Sequence, residues 1–348
     1  MIKYLGSKRA LMPVLETLFA ASKATTAVDL FTGTTRVAAA MKKLGMQVNA
    51  VDTASYSEVF SKTFIELDAT GKDLRKLAGA VRSLNELPGT SGYFTEVFCE
   101  KARFFQPKNG QRIDAIRSAI ESDYKGSWMY FPLLSSLLIA ADKVDSTTGV
   151  QMAYLKNWSR RSFLDIELQV PELLAGSGRS IRGDAIEQAP NLGSFDLAYL
   201  DPPYNQHRYF GNYHIWETLV RWDQPEYYGI ANKRIDTRSK ENKSDFNSKL
   251  TLPAALATLI SELDVKTLVL SYNNESWLSR RELTDMCSKF ETVEILDFDS
   301  KRYVGSQIGG YNQSGRLVGK PGAHRNLEHI VIAGQRQIVS TMVNALSQ

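Results

Sequence analysis

Short apolar runs alternate with amphipathic stretches along most of the chain, and this alternation predicts an α/β fold. The runs are bounded by glycine, proline or polar turn residues, as is typical of strands buried on both faces of a parallel sheet. Strands are predicted at 27–31, 48–52, 179–184, 195–200, 266–271, 292–298 and 328–333.

Helical periodicity fills the intervals between these strands. Helices are predicted near 10–21, 36–44, 213–222 and 280–289. A longer helical block separates the second predicted strand from the third, with helices near 56–67, 72–84, 92–105, 112–122 and 132–145. We therefore predict one sheet domain made of 1–56 and 170–348, and a helical insert made of 57–169.

The stretch from Phe195 to Asn205 concentrates candidate chemistry at one strand end. Six mostly apolar residues lead to Asp201, followed by Pro202, Pro203 and Tyr204. The prolines fix a stiff turn whose carbonyls are free to accept hydrogen bonds. A carboxylate, a carbonyl and an aromatic ring on one corner suit the exocyclic amino group of a base. An isolated motif of this kind is also compatible with a plain strand and proline turn.

The first two predicted strands form a βαβ unit with a glycine turn at Gly33. Asp52 follows at the spacing, about 20 residues, at which nucleotide-binding units place an acid that accepts from ribose hydroxyls. Only one glycine is present where a pyrophosphate-binding turn needs three. A ligand with an adenosine and no pyrophosphate fits better, which favours S-adenosylmethionine over a nicotinamide dinucleotide.

Two basic regions are candidate nucleic-acid contacts. The insert carries cations among aromatic residues, and the glycine-rich stretch 300–325 carries cations and no acid. Cations at such positions meet phosphates. A solvated helix face and a mobile surface hairpin are the alternative interpretations. The predicted nucleic-acid-binding residues are Arg103, Lys108, Arg112, Lys301, Arg302, Arg316 and Lys320.

Net charge, cysteines, histidines and apolar runs indicate the class of protein and its compartment. The chain of 348 residues has a net charge of +4, so basic character has to be local. Cys99 and Cys287 show no pairing pattern, and the four histidines show no metal-ligand spacing. No apolar run is long enough to span a membrane. We expect a cytoplasmic protein without a metal and without membrane association.

Seven short motifs follow one another along about 1–335. They are Lys3-Tyr-Leu-Gly-Ser-Lys8, Asp29-Leu-Phe-Thr-Gly33, Asp52, Gly183-Asp184, Asp201-Pro-Pro-Tyr-Asn205, Asn212-Tyr-His-Ile-Trp-Glu217 and Leu270-Ser-Tyr-Asn-Asn274. Each motif is weak alone, whereas their joint order is specific. In this order the motifs resemble those of the Dam-like class of DNA adenine-N6 methyltransferases, including members paired with type IIS restriction enzymes. The family often carries a second glycine in the first cofactor motif, where this chain has Thr35.

The resemblance implies a Rossmann-like, S-adenosylmethionine-dependent methyltransferase sheet with an inserted helical domain for DNA target recognition. Asp201, Pro202, Pro203 and Tyr204 would be catalytic. Tyr4 and Lys8 would hold the methionine end of the cofactor, and Asp52 its ribose. The full set of implied cofactor-binding residues is Tyr4, Lys8, Asp29, Phe31, Gly33, Asp52, Asp184 and Asp201.

The resemblance further implies methylation of adenine N6 in double-stranded DNA by base flipping, with a cognate restriction endonuclease as a further partner. Several alternatives stay open at this point. One is an RNA adenine-N6 methyltransferase, and methylation of cytosine N4 is a weaker one. Another is an inactive cofactor-binding, DNA-binding module. Carbon-5 methylation of cytosine is disfavoured, because Cys99 and Cys287 both lie in helical patterns.

Overall fold

A seven-stranded sheet forms the centre of the protein, and a separate two-stranded sheet accompanies it. The structure is a computed structural model that describes residues 1–203, 206, 208–239, 242–273, 276–301 and 325–347. All the strands predicted from the hydrophobic pattern are present in the large sheet. The strands are β1 (Thr26–Asp29), β2 (Gln47–Asp52), β3 (Gly178–Arg182), β4 (Phe195–Leu200), β5 (Tyr227–Tyr228), β6 (Lys233–Arg234), β7 (Val265–Asn273), β8 (Thr292–Lys301) and β9 (Arg325–Gly334).

The strand order in the large sheet is β3-β2-β1-β4-β7-β9-β8. Neighbours from β3 to β7 are parallel, and β9 runs antiparallel between β7 and β8. The chain moves outward on opposite sides of β1, to β2 on one side and to β4 on the other. In open α/β sheets ligands bind beyond the carboxyl ends of the strands at such a switch point. The prediction of a Rossmann-like sheet is confirmed.

Helices connect the parallel strands, as crossover connections require. Turns of π-helix continue two of them, over Lys62–Glu66 and Glu96–Glu100. The helices are α1 (Met12–Ser22), α2 (Arg36–Lys43), α3 (Ser55–Ser61), α4 (Leu74–Glu86), α5 (Tyr93–Thr95), α6 (Pro107–Tyr124), α7 (Tyr130–Val144), α8 (Ala185–Gln188), α9 (Tyr209–Asn212), α10 (His214–Arg221), α11 (Leu252–Glu262), α12 (Arg280–Met286) and α13 (Arg336–Ala345). Short 3₁₀ turns span Lys8–Ala10, Arg160–Phe163, Ala189–Asn191, Ile235–Arg238 and Asp245–Asn247.

Between β2 and β3 the chain forms helices and turns without a strand, which agrees with the predicted helical insert. The domain boundaries at 56/57 and 169/170 stay a prediction. Helices α8, α9, α11 and α13 are absent from the sequence prediction. For α11 a signal exists, since Leu252, Leu256, Leu259 and Ile260 repeat at helical spacing and are buried.

The core consists of two hydrophobic clusters, one on each face of the sheet. Successive strand residues point to opposite faces, and Ala27 accordingly belongs to one cluster and Val28 to the other. The larger cluster contains Leu197 of β4 together with Phe98 and Leu137 of the insert region. The insert therefore shares a continuous core with the sheet.

The polar segment 223–250 contains the hairpin β5–β6. Arg234 holds the hairpin in place, since its side chain is 2% exposed and its guanidinium binds both carboxylate oxygens of Asp223 at 2.7 Å. Asp236 adds a contact of 2.8 Å. Within the described residues, no helix combines the length and the apolar character that crossing a membrane requires.

Candidate active site

The turn between β1 and α2 forms one wall of the candidate site. Gly33 has a φ of +49°, and a Cβ at this position would lie 3.0 Å from Cε1 of Tyr4. Both the conformation and the space therefore favour glycine. Thr35 precedes α2 with a φ of 61°. This left-handed conformation gives a physical reason for the second glycine in the family pattern, and the chain adopts it here with a threonine.

Asp52, at the carboxyl end of β2, fastens this turn. Its carboxylate accepts the N–H of Gly33 at 2.8 Å and the N–H of Ala54 at 2.9 Å. Burial raises the pKa of Asp52, and these two backbone N–H groups act in the opposite direction. The acid that the sequence placed at the second strand end thus joins the ends of β1 and β2.

Asp29, at the carboxyl end of β1, is a buried acid beside the same turn. Burial raises its pKa to about 8, whereas the hydrogen bond from the N–H of Phe31 acts in the lowering direction. The buried carboxyl group of Asp29 is therefore protonated more readily than that of an exposed aspartate. A cation in the cleft would favour the charged form of this carboxyl group.

Asp201 follows β4 and contacts a buried lysine. The Nζ of Lys8 lies 3.1 Å from Oδ1 of Asp201 and 3.4 Å from Oε2 of Glu328 on β9, and the Lys8 side chain is 5% exposed. Burial raises the pKa of Asp201 to about 6; among the charges, Lys8 lowers the pKa and Glu328 raises it. Sequence reasoning missed Glu328, since local patterns do not show which distant carboxylate meets Lys8.

Stacked tyrosines attach the N-terminal segment to α9 and α10. The ring of Tyr4 lies 4.8 Å from that of Tyr213 and 5.2 Å from that of Tyr209, measured between centroids. The N–H of Leu5 donates to the Tyr213 hydroxyl at 2.6 Å. The sequence motif containing Tyr213 was recognised without a role, and the structure shows that this residue positions the segment carrying Tyr4.

A single cleft collects the predicted cofactor residues. It is a concave cleft that is partly open to solvent, the kind of place where small-molecule ligands bind. Pro203 also lines it, Pro202 is buried, and Tyr204 lies outside the described residues. The predicted cofactor-binding residues in this cleft, which we call the cofactor cleft, are Tyr4, Lys8, Asp29, Phe31, Gly33, Asp52, Asp184 and Asp201.

These residues contribute different chemical groups to the cofactor cleft. The ring of Phe31 packs edge-on against Phe246, with centroids 5.0 Å apart. The carboxylate of Asp184 accepts the N–H of Ile186 at 2.9 Å and caps α8. Their roles toward a cofactor stay predictions.

Arg36, the first residue of α2, is a cleft residue that sequence reasoning missed. Its Nε atom is buried and has no hydrogen-bond partner among the described residues. Burial, and next the charge of Arg9, lowers the pKa of the guanidinium. Arg36 therefore brings a positive charge to the lining of the cleft. A basic residue opening the helix after the glycine turn was the available sequence signal.

The predicted nucleic-acid contacts of the insert all bind other parts of the chain. Arg103 donates to the carbonyl of Lys156 at 2.6 Å, and its guanidinium lies over Trp158. Lys108 pairs with Asp165 at 2.6 Å. Arg112 donates to the carbonyl of Asn85 at 2.6 Å. Arg302, Arg316, Lys320 and the side chain of Lys301 lie outside the described residues, and all these DNA-binding roles stay predictions.

A Rossmann-like sheet with a one-glycine turn and with strand-end acids in one cleft is typical of methyltransferases. More narrowly, the chain belongs to the family of D12 class N6 adenine-specific DNA methyltransferases, which residues 4–286 match. The family resemblance inferred from the motifs is thereby confirmed. Membership implies a methyl donor.

Similar proteins are modification methylases. The chain is 31% identical over 322 residues to the modification methylase StsI of Streptococcus sanguinis, covering 87% of this chain and 48% of that protein. It is 30% identical over 326 residues to the type II methyltransferase M.NlaIII of Neisseria lactamica, covering 89% of this chain and 95% of that protein. To the type II methyltransferase M.FokI of Planomicrobium okeanokoites it is 28% identical over 299 residues, covering 79% of this chain and 45% of that protein. The chain thus spans about half the length of the StsI and FokI enzymes and nearly all of the NlaIII enzyme.

Proposed function

We propose that this protein transfers a methyl group from S-adenosylmethionine to the N6 amino group of adenine in duplex DNA, as the modification activity of a restriction system. The observation that carries the proposal is the position of Asp201, which lines the same cleft as Asp29, Gly33 and Asp52. A cognate restriction endonuclease is part of the proposal, because the similar proteins are modification methylases.

The residues of the cofactor cleft fit the chemistry of S-adenosylmethionine. Asp29 is a buried acid with a raised pKa, which a cationic amino or sulfonium group would stabilise in its charged form. Arg36 supplies an unpartnered buried donor for a carboxylate. Asp52 stands at a strand end, where it can accept from ribose hydroxyls. These residues would hold the methionine end and the ribose.

The bound cofactor supplies an electrophilic methyl group on its sulfonium sulfur. Asp201 accepts a hydrogen bond from the amino group of the target base, with the Pro202 carbonyl as the second acceptor, and so orients the nitrogen lone pair toward the cleft. The Asp201 carboxylate then takes the proton that the methylated nitrogen loses. Lys8 favours the ionised form of Asp201 needed for both tasks.

Access to the target requires base flipping, because a stacked adenine cannot reach a corner at a strand end. Flipping costs a few kcal/mol, which contacts in the pocket offset. Tyr204 is proposed to stack on the flipped ring. Positioning and preorganised dipoles contribute most to such a transfer.

Nucleoside mass spectrometry tests the proposal. The purified protein is incubated with S-adenosylmethionine and either unmethylated duplex DNA or structured RNA, and the digested nucleosides are analysed. We expect N6-methyldeoxyadenosine from the DNA alone. Methylated adenosine from the RNA alone would show that the substrate is RNA and not DNA. No product from either nucleic acid would favour an inactive cofactor-binding module.

Asp201→Ala is the matched variant for this experiment. It removes both acceptor oxygens while Lys8 keeps Glu328 as a counter-charge. We expect loss of turnover with S-adenosylhomocysteine binding still measurable by calorimetry. Turnover retained by this variant would contradict the assignment of Asp201.

A further inference from the structure

A basic and aromatic groove lies beside the cofactor cleft. We call it the flanking groove, and its lining includes Met152, Arg208, Phe210, Tyr228, Lys233 and Thr237. We propose that this groove binds the DNA strand next to the flipped nucleotide. The inference rests on the proposed function and assigns the surface through which its substrate is held.

The charge of the groove suits a phosphate backbone. None of the described residues that line it is an aspartate or a glutamate, whereas Arg208 and Lys233 are cations. The guanidinium of the exposed Arg238 lies 3.8 Å above the ring of Tyr228 and adds a third cation at its edge. Neutralisation of phosphates by such cations supplies much of the affinity of proteins for DNA.

The aromatic side chains give the groove a second property of nucleic-acid surfaces. Tyr228 and Phe210 line it together with the cations. Aromatic faces accept unstacked bases without sequence preference, and interleaving with cations is typical of strand-binding channels. A nucleotide next to a flipped base has lost a stacking partner, so a ring at this place replaces the lost contact.

The groove is built on a fixed element. The hairpin β5–β6 carries Tyr228 and Lys233, and the buried Arg234 ties this hairpin to Asp223 and Asp236. These acids are therefore paired with Arg234 and leave the charge of the groove positive. The Tyr228 hydroxyl also lies 3.0 Å from that of Thr237.

Continuity with the cofactor cleft identifies which part of the DNA the groove would meet. Arg208, Phe210 and Asn242 line both cavities. A strand whose adenine enters the cleft at Asp201 must leave the cleft on either side of that nucleotide. The groove offers one such exit, and its cations can bind the phosphates that follow.

The test compares DNA binding by a groove variant and by a control variant of equal charge. Lys233→Gln with Arg238→Gln removes two cations of the groove. Lys23→Gln with Arg336→Gln removes two exposed cations that line neither cavity and lie outside the predicted insert. The affinity of each variant is measured by fluorescence anisotropy over a range of salt concentrations, in the presence of S-adenosylhomocysteine. The probe is an unmethylated DNA duplex that contains the sequence methylated by the protein.

We expect the groove variant to bind at least about tenfold more weakly and to lose about one unit of salt slope for each phosphate contact. The control variant should bind as the unaltered protein does. The charge-retaining pair Lys233→Arg with Arg238→Lys should keep both affinity and slope. Equal binding by the groove and control variants would overturn the proposal.

Two further readouts separate this inference from the proposed function. S-adenosylhomocysteine binding should be unchanged in the groove variant. If the variant lost affinity for both DNA and S-adenosylhomocysteine, the loss would be a structural effect and the groove assignment would be overturned. Methylation of DNA by the unaltered protein tests the proposed function by itself. If the unaltered protein methylates DNA and the groove variant binds DNA as well as the control variant does, the groove assignment is refuted and the proposed function stands.

Discussion

Arg36 and Asp29 both line the cofactor cleft. The Nε atom of Arg36 is a buried donor without a partner among the described residues, and Asp29 is a buried acid whose pKa is raised. Under the proposed function, these two residues would bind the carboxylate and the amino group of the cofactor's methionine end.

The first prediction concerns Arg36. Arg36→Gln should weaken binding of S-adenosylhomocysteine by about 1.5–3 kcal/mol, the range for a hydrogen bond to a charged group, or roughly tenfold to a hundredfold in Kd. Binding of 5′-methylthioadenosine, which lacks the carboxylate, should hardly change. Isothermal calorimetry with both ligands measures the difference. Arg9→Gln, an exposed neighbour, is the control, and equal losses for both ligands would contradict a carboxylate contact.

The second prediction concerns the pH dependence of Asp201. Its pKa is raised to about 6, first by burial, and the ionised form is the acceptor. Activity should therefore fall as the pH drops through about 6. Lys8→Met removes a cation that lowers this pKa, so the acidic limb of kcat/KM should move to higher pH. Glu328→Gln removes an anion that raises it, so the limb should move to lower pH.

If Lys8 and Glu328 had only structural roles, the two variants would not shift the acidic limb of kcat/KM in opposite directions. The matched control is Glu294→Gln, which removes an exposed carboxylate from β8. Its acidic limb should coincide with that of the unaltered protein. A shift of both Lys8→Met and Glu328→Gln in the same direction would show that Asp201 does not control the limb.

At the scale of elements, the turn between β1 and α2 determines the shape of the cofactor cleft. Gly33 combines a positive φ with a close approach to Tyr4, and Asp52 fixes its N–H. The tyrosine stack holds Tyr4 against this turn from the other side. Strand ends, turn and N-terminal segment therefore form one unit.

The third prediction follows from this close approach. Gly33→Ala should cost about 1–2 kcal/mol in backbone strain and should also displace Tyr4, which weakens cofactor binding. Gly193→Ala is the control, since Gly193 has a φ of +82° and a methyl group added there would meet no described atom within 4 Å. Both variants should lose thermal stability, but only Gly33→Ala should lose affinity for S-adenosylhomocysteine. Equal affinities in a calorimetric titration would refute the role of the Tyr4 contact.

At the scale of the whole molecule, the insert and the sheet are joined by a continuous hydrophobic cluster. Leu137 on α7 is fully buried in the cluster that also contains Leu197 of β4. Arg117 of α6 reinforces this connection, because its guanidinium donates to the carbonyls of Leu219 and Val220 at 2.8 and 3.0 Å. We infer that the insert and the sheet unfold together.

The fourth prediction tests this coupling. Leu137→Ala should lower the free energy of unfolding by about 2–5 kcal/mol, the usual range for a buried leucine. Chemical unfolding followed by circular dichroism and by loss of S-adenosylhomocysteine binding should give a single, coincident transition. Leu74→Ala, at a position that is 48% exposed, should cost less than about 0.5 kcal/mol. Separate transitions for the insert and the sheet would contradict the shared core.

The sequence by itself determined the strands, most helices, the order of motifs and the family. The physical reason is that strand burial, helical period, glycine turns and proline corners are local properties of the chain. Residues at the carboxyl ends of parallel strands meet at one sheet edge, so the positions of Asp29, Asp52 and Asp201 at strand ends are enough to place them together.

Only the tertiary structure decided how individual side chains are paired. Lys8 meets Glu328 across 320 positions of sequence, and no local period encodes such a contact. The same holds for the insert, where Arg103, Lys108 and Arg112 bind carbonyls and an acid of the protein itself. A charge seen in sequence shows what a residue can bind, whereas packing decides which partner lies within reach.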